Sequence, residues 1–165
     1  MLPRCLMDRD AAHWEAVEEA IELLQEERYR EALEVLREVL RADPKNAYAF
    51  FFLAQAFYEV GEMEPARDAY RACLALAPEH LGARIALTHV ERKLGRHREA
   101  IKEGMIALEQ APMDGDALYA VGLAYAARGD NAAARRYLEA FLKAQPELET
   151  SLEVEALLGT MDPTS

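Results

Sequence analysis

The sequence has few of the residues with which proteins form disulfides, bind metals or carry out covalent chemistry. Its only cysteines are Cys5 and Cys73, which are too few for a disulfide framework and typical of a reducing compartment. The four histidines do not fall in the paired spacing of a zinc site, and neither a glycine-rich phosphate loop nor a nucleophile motif is present. The sequence therefore predicts no metal site, no cofactor and no enzymatic activity.

Basic residues and long apolar runs are also scarce. The chain has 19 Lys and Arg against 30 Asp and Glu, and a net charge of −11 argues against a nucleic acid or an anionic membrane as its partner. Residues 1–12 contain no apolar run of the length found in a secretion signal. We therefore expect a cytoplasmic protein that binds no nucleic acid and does not insert into a membrane.

The clearest pattern that is present is a pair of helical stripes between residues 46 and 78. Apolar residues spaced by three and four positions form one stripe before a break at residues 60–62 and a second stripe after it. Since neither short helix can bury its stripe alone, the pattern predicts a helical hairpin with neighbours of the same kind. The stripes consist of Phe50, Leu53, Ala54 and Phe57, and of Ala66, Ala69, Tyr70, Cys73 and Leu74.

The same pattern recurs along the chain at a fixed period of about 34 residues. A shift by this period aligns prolines between the hairpins, alanines and leucines in the second helix, and glycines at the turn within each hairpin. The aligned columns are Pro44, Pro78, Pro112 and Pro146; Ala32, Ala66, Ala100 and Ala134; Leu40, Leu74, Leu108 and Leu142; and Gly61, Gly95 and Gly129. Four columns without a single-residue slip predict an array of stacked helical hairpins.

This period, with small residues where helices approach and a proline between hairpins, resembles the tetratricopeptide (TPR) repeat. The family's pattern of a large apolar, a small and an aromatic residue in the first helix is met by Phe50, Ala54 and Phe57. The resemblance implies an all-α fold, a TPR α-solenoid of four antiparallel helix pairs plus a C-terminal capping helix. The expected organisation is a leading tail at 1–11, four TPR units within 12–146 (13–44, 47–78, 81–112 and 115–146), a capping helix at 147–159 and a disordered tail at 160–165.

Three parts of this array carry more specific expectations. The first helix of the first unit is expected near residues 12–25, as one continuous segment. In the third unit, polar residues and a glycine occupy core columns and are expected to loosen the packing; they are Arg84, Thr88, Glu91 and Gly104. In the capping helix, one stripe is expected to cover the fourth unit and the opposite side to be left over. The covering stripe is Leu148, Leu152 and Ala156, and the opposite side holds Val154, Leu157 and Leu158.

In TPR proteins the first helix of each pair lines a concave groove. The resemblance implies that the corresponding groove residues of this chain are mostly apolar and aromatic. The expected peptide-binding residues are Trp14, Val17, Ile21, Tyr48, Phe51, Phe52, Gln55, Tyr58, Ile85, His89, Arg92, Tyr119 and Leu123. Members that bind heat-shock chaperones hold a C-terminal carboxylate in a clamp of Lys, Asn and Arg. That clamp is missing here, because its places hold Val17, Ile21, Phe52, Gly82 and Ala86.

The groove composition predicts a non-catalytic protein–protein interaction module, an adaptor or scaffold that binds an apolar peptide or an amphipathic helix. One alternative is a chaperone similar to the TPR chaperones of bacterial type III translocator proteins, although those carry a longer helical region ahead of their repeats. Another is a structural subunit that self-assembles, with a homodimer formed through the groove or the C-terminal helix. The chain's own residues 1–12 are a further candidate to fill the groove.

Overall fold

A computed structural model describes the backbone of residues 4–144 and 146–161, and the side chains from residue 9 onward within these ranges. The described residues form helices and no strand, which confirms the all-α prediction. The helices are α1 (Arg4–Glu15), α2 (Glu18–Gln25), α3 (Tyr29–Ala42), α4 (Ala47–Glu59), α5 (Met63–Leu76), α6 (Leu81–Lys93), α7 (His97–Gln110), α8 (Gly115–Arg128), α9 (Asn131–Lys143) and α10 (Leu148–Thr160). The chain divides into two compact units, residues 1–83 and 84–165. Within the described ranges, no helix combines the length and the apolar character that a membrane crossing requires.

The repeat period fixes where the hairpins turn. Gly61, Gly95 and Gly129 adopt φ angles of 82°, 74° and 86°, which suit glycine because it has no Cβ to clash with the backbone. In the first hairpin the same column holds Glu27, which adopts φ 58° without this freedom. The turn is therefore imposed on a residue that does not favour it, and the repeat pattern explains why.

The first repeat of the array differs from the sequence prediction. Instead of one helix near 12–25 preceded by a tail, α1 begins at Arg4 and ends at Glu15, and α2 starts at Glu18. The N–H of Val17 bonds to the carbonyl of Trp14 at 3.0 Å, which tightens the chain between the two helices. The prediction was wrong because neither glycine nor proline marks this break.

The core of the compact unit at residues 1–83 follows the predicted stripes with two exceptions. Leu36, Ala66 and Cys73 are fully buried, and burial raises the pKa of the Cys73 thiol to about 11, as expected for a core residue and not for a nucleophile. Phe50 and Phe57, which the periodicity placed in the core, are only half-buried.

Polar residues of the third repeat make hydrogen bonds and ion pairs with other groups of the same repeat. Arg84 pairs with Glu103 at 2.6 Å, and both side chains are largely buried. Thr88 is fully buried and donates to the carbonyl of Arg84 at 3.0 Å. A Cβ on Gly104 would lie 2.5 Å from Val121 Cγ2 and 3.2 Å from Thr88 Cγ2, so the glycine makes room first for the buried valine and then for the buried threonine. Glu91, which could have reached solvent, is instead fully buried with Arg96 at 3.9 Å.

The capping helix α10 packs through the face that was expected to be left over. Val154 and Leu158 are buried, whereas Leu148 and Leu152 are exposed. Arg135 of α9 holds this arrangement by donating to the carbonyls of Leu158 and Met161 at 2.9 and 3.1 Å. The periodicity offered two apolar stripes on one helix, and only the tertiary contacts select between them. The helix runs to Thr160, and residues 162–165 of the expected tail lie outside the described residues.

A buried asparagine joins α1 to the start of α4. Asn46 is 1% exposed, accepts a hydrogen bond from the N–H of Ala49 at 3.1 Å and donates to the carbonyl of His13 at 2.9 Å. The first bond caps α4, and the second satisfies a carbonyl at the end of α1.

We expect Asn46→Ala to lower the free energy of unfolding by about 1–3 kcal/mol, since it removes a cap and leaves the His13 carbonyl without its donor. Asp114 provides the matched control, because it occupies the same repeat column and its carboxylate only caps α8. Asp114→Ala should cost about 1 kcal/mol. Urea denaturation of the two variants measures the difference, and equal losses would contradict a linking role for Asn46.

Candidate functional site

Five aromatic rings, from α1, from α4 and from the residue before α6, contact one another in a row. The Trp14 ring of α1 meets Tyr48 edge-on at 5.3 Å between ring centroids and Phe52 at 6.1 Å. Phe52 contacts Phe51 at 5.2 Å, and Phe51 stacks on His80 at 4.7 Å with an interplanar angle of 27°. We call these five residues the aromatic row.

The row is accessible to a ligand. Tyr48, Phe51 and Phe52 are three and four positions apart and therefore share one face of α4. They are half-buried, as is His80, while Trp14 is 44% exposed. The row therefore presents apolar ring surface to solvent from side chains that neighbouring rings hold in place.

Polar contacts hold α1 beside the start of α4. Tyr48 donates from its hydroxyl to Asp10 at 2.9 Å, and His13 Nε2 lies 2.7 Å from an oxygen of Asp43. The pKa of Asp43 is lowered, first by a hydrogen bond from the backbone N–H of Lys45 and then by the bond to His13. The Asp43 carboxylate therefore stays ionised and keeps its contact with α1.

His80 was not among the predicted site residues, although the repeat period contains the signal. It occupies the column of Asn46 and Asp114, and like them it caps a helix, since its Nδ1 accepts from the N–H of Ala83 at 3.1 Å. A cap at the start of α6 places the ring against Phe51. The column thus predicts the cap, but the stacking follows only from the tertiary structure.

A surface cleft of about 940 Å³ adjoins the row at its Trp14 end. Its walls come from α1, from the start of α4 and from the end of α5. Leu76, 42% exposed, adds apolar surface that the sequence analysis did not assign to the site. The lining residues are Arg9, Asp10, Ala11, His13, Trp14, Lys45, Ala47, Tyr48, Leu76, Ala77 and Glu79.

Some of the predicted groove residues between residues 1 and 83 do not reach this surface. Val17 is fully buried beside the α1–α2 break and is not available to a ligand, which corrects the prediction. Ile21, Gln55 and Tyr58 are half-buried on α2 and α4. Gln55 and Tyr58 lie one and two helical turns beyond Phe51. The structure therefore joins Trp14, Tyr48, Phe51 and Phe52 of the predicted set into one cluster, with His80 added.

In the second unit, residues 84–165, the predicted residues form a smaller cluster. The His89 ring lies 6.0 Å from Tyr119, which lies 5.0 Å from the buried Phe141. The other predicted residues of this unit are Ile85, Arg92 and Leu123, and all three are half-buried. Burial lowers the pKa of His89 to about 4, with smaller contributions from Arg92 and Lys93. His89 is therefore neutral near pH 7.

The lowered pKa makes part of the stability depend on pH. The ordinary pKa of histidine is 6.5. Between pH 6.5 and pH 4, His89 is therefore protonated in the unfolded chain and neutral in the folded chain. We expect this contribution to be complete above pH 6.5 and to be lost as the pH falls, by about 1–2 kcal/mol at pH 5. The test compares urea unfolding at pH 7.5 and 5 for the wild type and His89→Phe, whose stability should fall less. An NMR titration midpoint of His89 near 6.5 would contradict the prediction.

The described residues hold no group of three or more His, Cys, Asp or Glu side chains that could bind a metal ion. The site consists of aromatic and aliphatic surface with a few charged side chains at its edge. Such a surface suits the recognition of apolar side chains by shape and burial.

Helical hairpins that repeat at a fixed period define the class of helical repeat proteins, in which stacked hairpins carry extended binding surfaces. The tetratricopeptide repeat model matches residues 17–80 and 85–149, and the chain belongs to this family. No match was found among the curated proteins.

Solved structures of the same fold include one with a bound peptide. PilF of Pseudomonas aeruginosa has a TM-score of 0.80 at 24% identity, covering 92% of this chain and 70% of that one. YrrB, described as a TPR protein with an unusual peptide-binding site, has a TM-score of 0.76 at 22% identity, covering 89% and 74%. The first TPR of Spaghetti (RPAP3), solved with the HSP90 peptide SRMEEVD, has a TM-score of 0.68 at 20% identity, covering 71% and 93%. At these identities the likeness shows the fold.

Proposed function

We propose that this protein is a non-catalytic interaction module, an adaptor or scaffold, that binds an apolar peptide or an amphipathic helix of a partner protein over the aromatic row. The observation that carries the proposal is the half-buried row itself, in which rings contact one another and still face solvent. Rings held in this way lose little conformational freedom when a ligand covers them, so ordering these side chains costs little of the binding free energy.

The charges beside the row limit the chemistry of the ligand. The cleft carries Arg9 and Lys45 together with Asp10 and Glu79, so it does not favour a ligand of one strong sign. One similar fold was solved with a chaperone peptide that has an acidic end, but the basic clamp residues are missing from this chain. We infer that the ligand is anchored by two or more large apolar side chains and not by a terminal carboxylate.

A peptide library displayed on phage tests this proposal without knowledge of the partner. Selection on the wild type should enrich sequences with large apolar residues at extended or helical spacing. Selection on a Trp14→Ala, Phe52→Ala double variant should not enrich them, because it lacks two of the five rings.

Phe57→Ala is the matched control, because Phe57 lies on the same helix α4 but packs under the guanidinium of Arg37 at 5.7 Å. It should still enrich the sequences selected by the wild type. Enrichment by the double variant at wild-type level, or loss of enrichment only in Phe57→Ala, would overturn the proposal. Dimers of the wild type that dissociate on Phe52→Ala would show instead that a second copy occupies the row.

A further inference from the structure

The helix α10 carries apolar residues on two opposite faces, and only one face is covered by the protein. Val154 and Leu158 are 1% and 9% exposed and pack inward. On the other side, Leu148 and Leu152 are 75% and 55% exposed. Four exposed residues follow one another along this side, and we call them the outer stripe: Leu148, Leu152, Ala156 and Gly159.

The repeat register shows what kind of neighbour this face accepts. A shift by one repeat period places Leu152, Ala156 and Gly159 in the columns of Leu118, Gly122 and Tyr125 of α8. Two of these residues of α8, Gly122 and Tyr125, contact the next helix, α9. A Cβ on Gly122 would lie 2.6 Å from Leu138 Cδ2, and Tyr125 stacks on Tyr137 at 5.6 Å.

Two buried positions of α10 keep the same register. Val154 and Leu158 occupy the columns of Ala120 and Ala124, which are also buried, and Ala124 packs on Ala100 of the preceding helix α7. At these two positions α10 faces inward from the same columns as α8. Ala156 and Gly159 of the outer stripe occupy the columns that a following helix contacts in α8, and both are small enough to allow a close approach.

Acidic residues flank the outer stripe on both sides. At 100° per residue, Glu149 and Glu153 lie along one edge and Glu155 along the other, and all three are exposed. Residues 147–165 contain five acidic and no basic residues. By contrast α9, which covers the equivalent face of α8, carries Arg135, Arg136 and Lys143 against one Glu139.

We propose that the outer stripe docks an amphipathic helix of a partner protein whose apolar stripe is flanked by lysine or arginine. A second copy of α10 is disfavoured as the occupant, because pairing two such helices would bring glutamate rows together without a basic residue to offset them. This surface lies within the second unit and involves none of the aromatic row, so it does not depend on the function proposed above.

A fusion tests the proposal, because covalent linkage raises the effective concentration of a weakly binding helix to the millimolar range. A second copy of residues 131–143 is attached after Ser165 of the full chain through a flexible Gly/Ser linker. We expect the fused helix to slow amide exchange in residues 148–160 by about tenfold or more and to raise the melting temperature. A fusion of residues 29–42, with three Arg and three Glu, should protect less, and the difference should shrink in high salt.

Leu152→Glu distinguishes docking on the stripe from other effects of the fusion. Leu152 is exposed, so the unfused variant should unfold like the wild type, and in the fusion the variant should remove the protection. The proposal is overturned if the fused helix gives no protection, or if Leu152→Glu leaves the protection unchanged. It is also overturned if sedimentation shows that the unfused protein forms a dimer that Leu152→Glu dissociates, since a second copy would then be the occupant.

Discussion

Replacing Gly122 with alanine should lower the free energy of unfolding by about 2 kcal/mol or more, although alanine favours a helix more than glycine by about 1 kcal/mol. The added Cβ would lie 2.6 Å from Leu138 Cδ2, 2.7 Å from Leu138 Cγ and 3.3 Å from the Leu138 backbone nitrogen. Leu138 is fully buried, so its side chain has little room to move, and its backbone belongs to α9. The two helices must therefore separate or distort. Urea denaturation of the wild type and the variant measures the loss.

Two comparisons separate steric overlap from a general effect of the substitution. Gly159 is the matched control, because it also lies in a helix but a Cβ there would have no neighbour within 4 Å, so Gly159→Ala should be neutral or slightly stabilising. Leu138→Ala alone should cost about 2–5 kcal/mol. Because it frees the space that the new Cβ needs, the double variant should lose less than the sum of the single losses, by about 1 kcal/mol or more. Additive losses would mean that Gly122 and Leu138 are not in close contact.

Replacing Phe52 with alanine should weaken binding of a selected apolar peptide about 30-fold. Aromatic anchors at the centre of an interface typically contribute about 2 kcal/mol or more, which is more than a factor of ten in affinity. Phe52 is the best single probe, since its ring contacts both Trp14 and Phe51 and so lies within the row. Phe51 is less suitable, because it also packs on the buried Tyr70 at 6.0 Å and its loss would disturb the core. Isothermal titration at a temperature where each variant is folded measures the affinity.

The binding prediction requires that folding and affinity be measured separately. Phe57→Ala removes the same side chain from the same helix and should leave the affinity within about threefold of the wild type, since its ring lies against Arg37 and not in the row. If Phe52→Ala and Phe57→Ala weaken binding equally, the effect arises from the stability of α4. The aromatic row would then not be the binding surface.

Much of the site was predictable because repeat period and helical spacing act within short distances along the chain. The columns of glycine, alanine, leucine and proline place the hairpins, and residues 48, 51 and 52 must share a face once α4 is a helix. His80 could have been recognised as a helix cap from its column with Asn46 and Asp114. Its stacking on Phe51 could not, because the path of the chain after α5 depends on packing and not on local spacing.

The misassigned residues have two physical causes. Val17 has the spacing of a groove residue, but the turn at residues 16–17 redirects the chain and buries its side chain. In α10 both apolar stripes fit the helical period, so the sequence offered no criterion for choosing between them.

The sequence by itself determined the repeat, the helices from α3 onward and the apolar character of the first-helix faces, because these follow from the period of the residues and from backbone conformation. Only the tertiary structure decided that α1 places Trp14 against Tyr48, that α10 turns Val154 and Leu158 inward, and that Arg84 pairs with Glu103. Such choices are made between alternatives of similar local preference. They depend on which surfaces fit together across the fold, and contacts between residues distant in sequence carry that information.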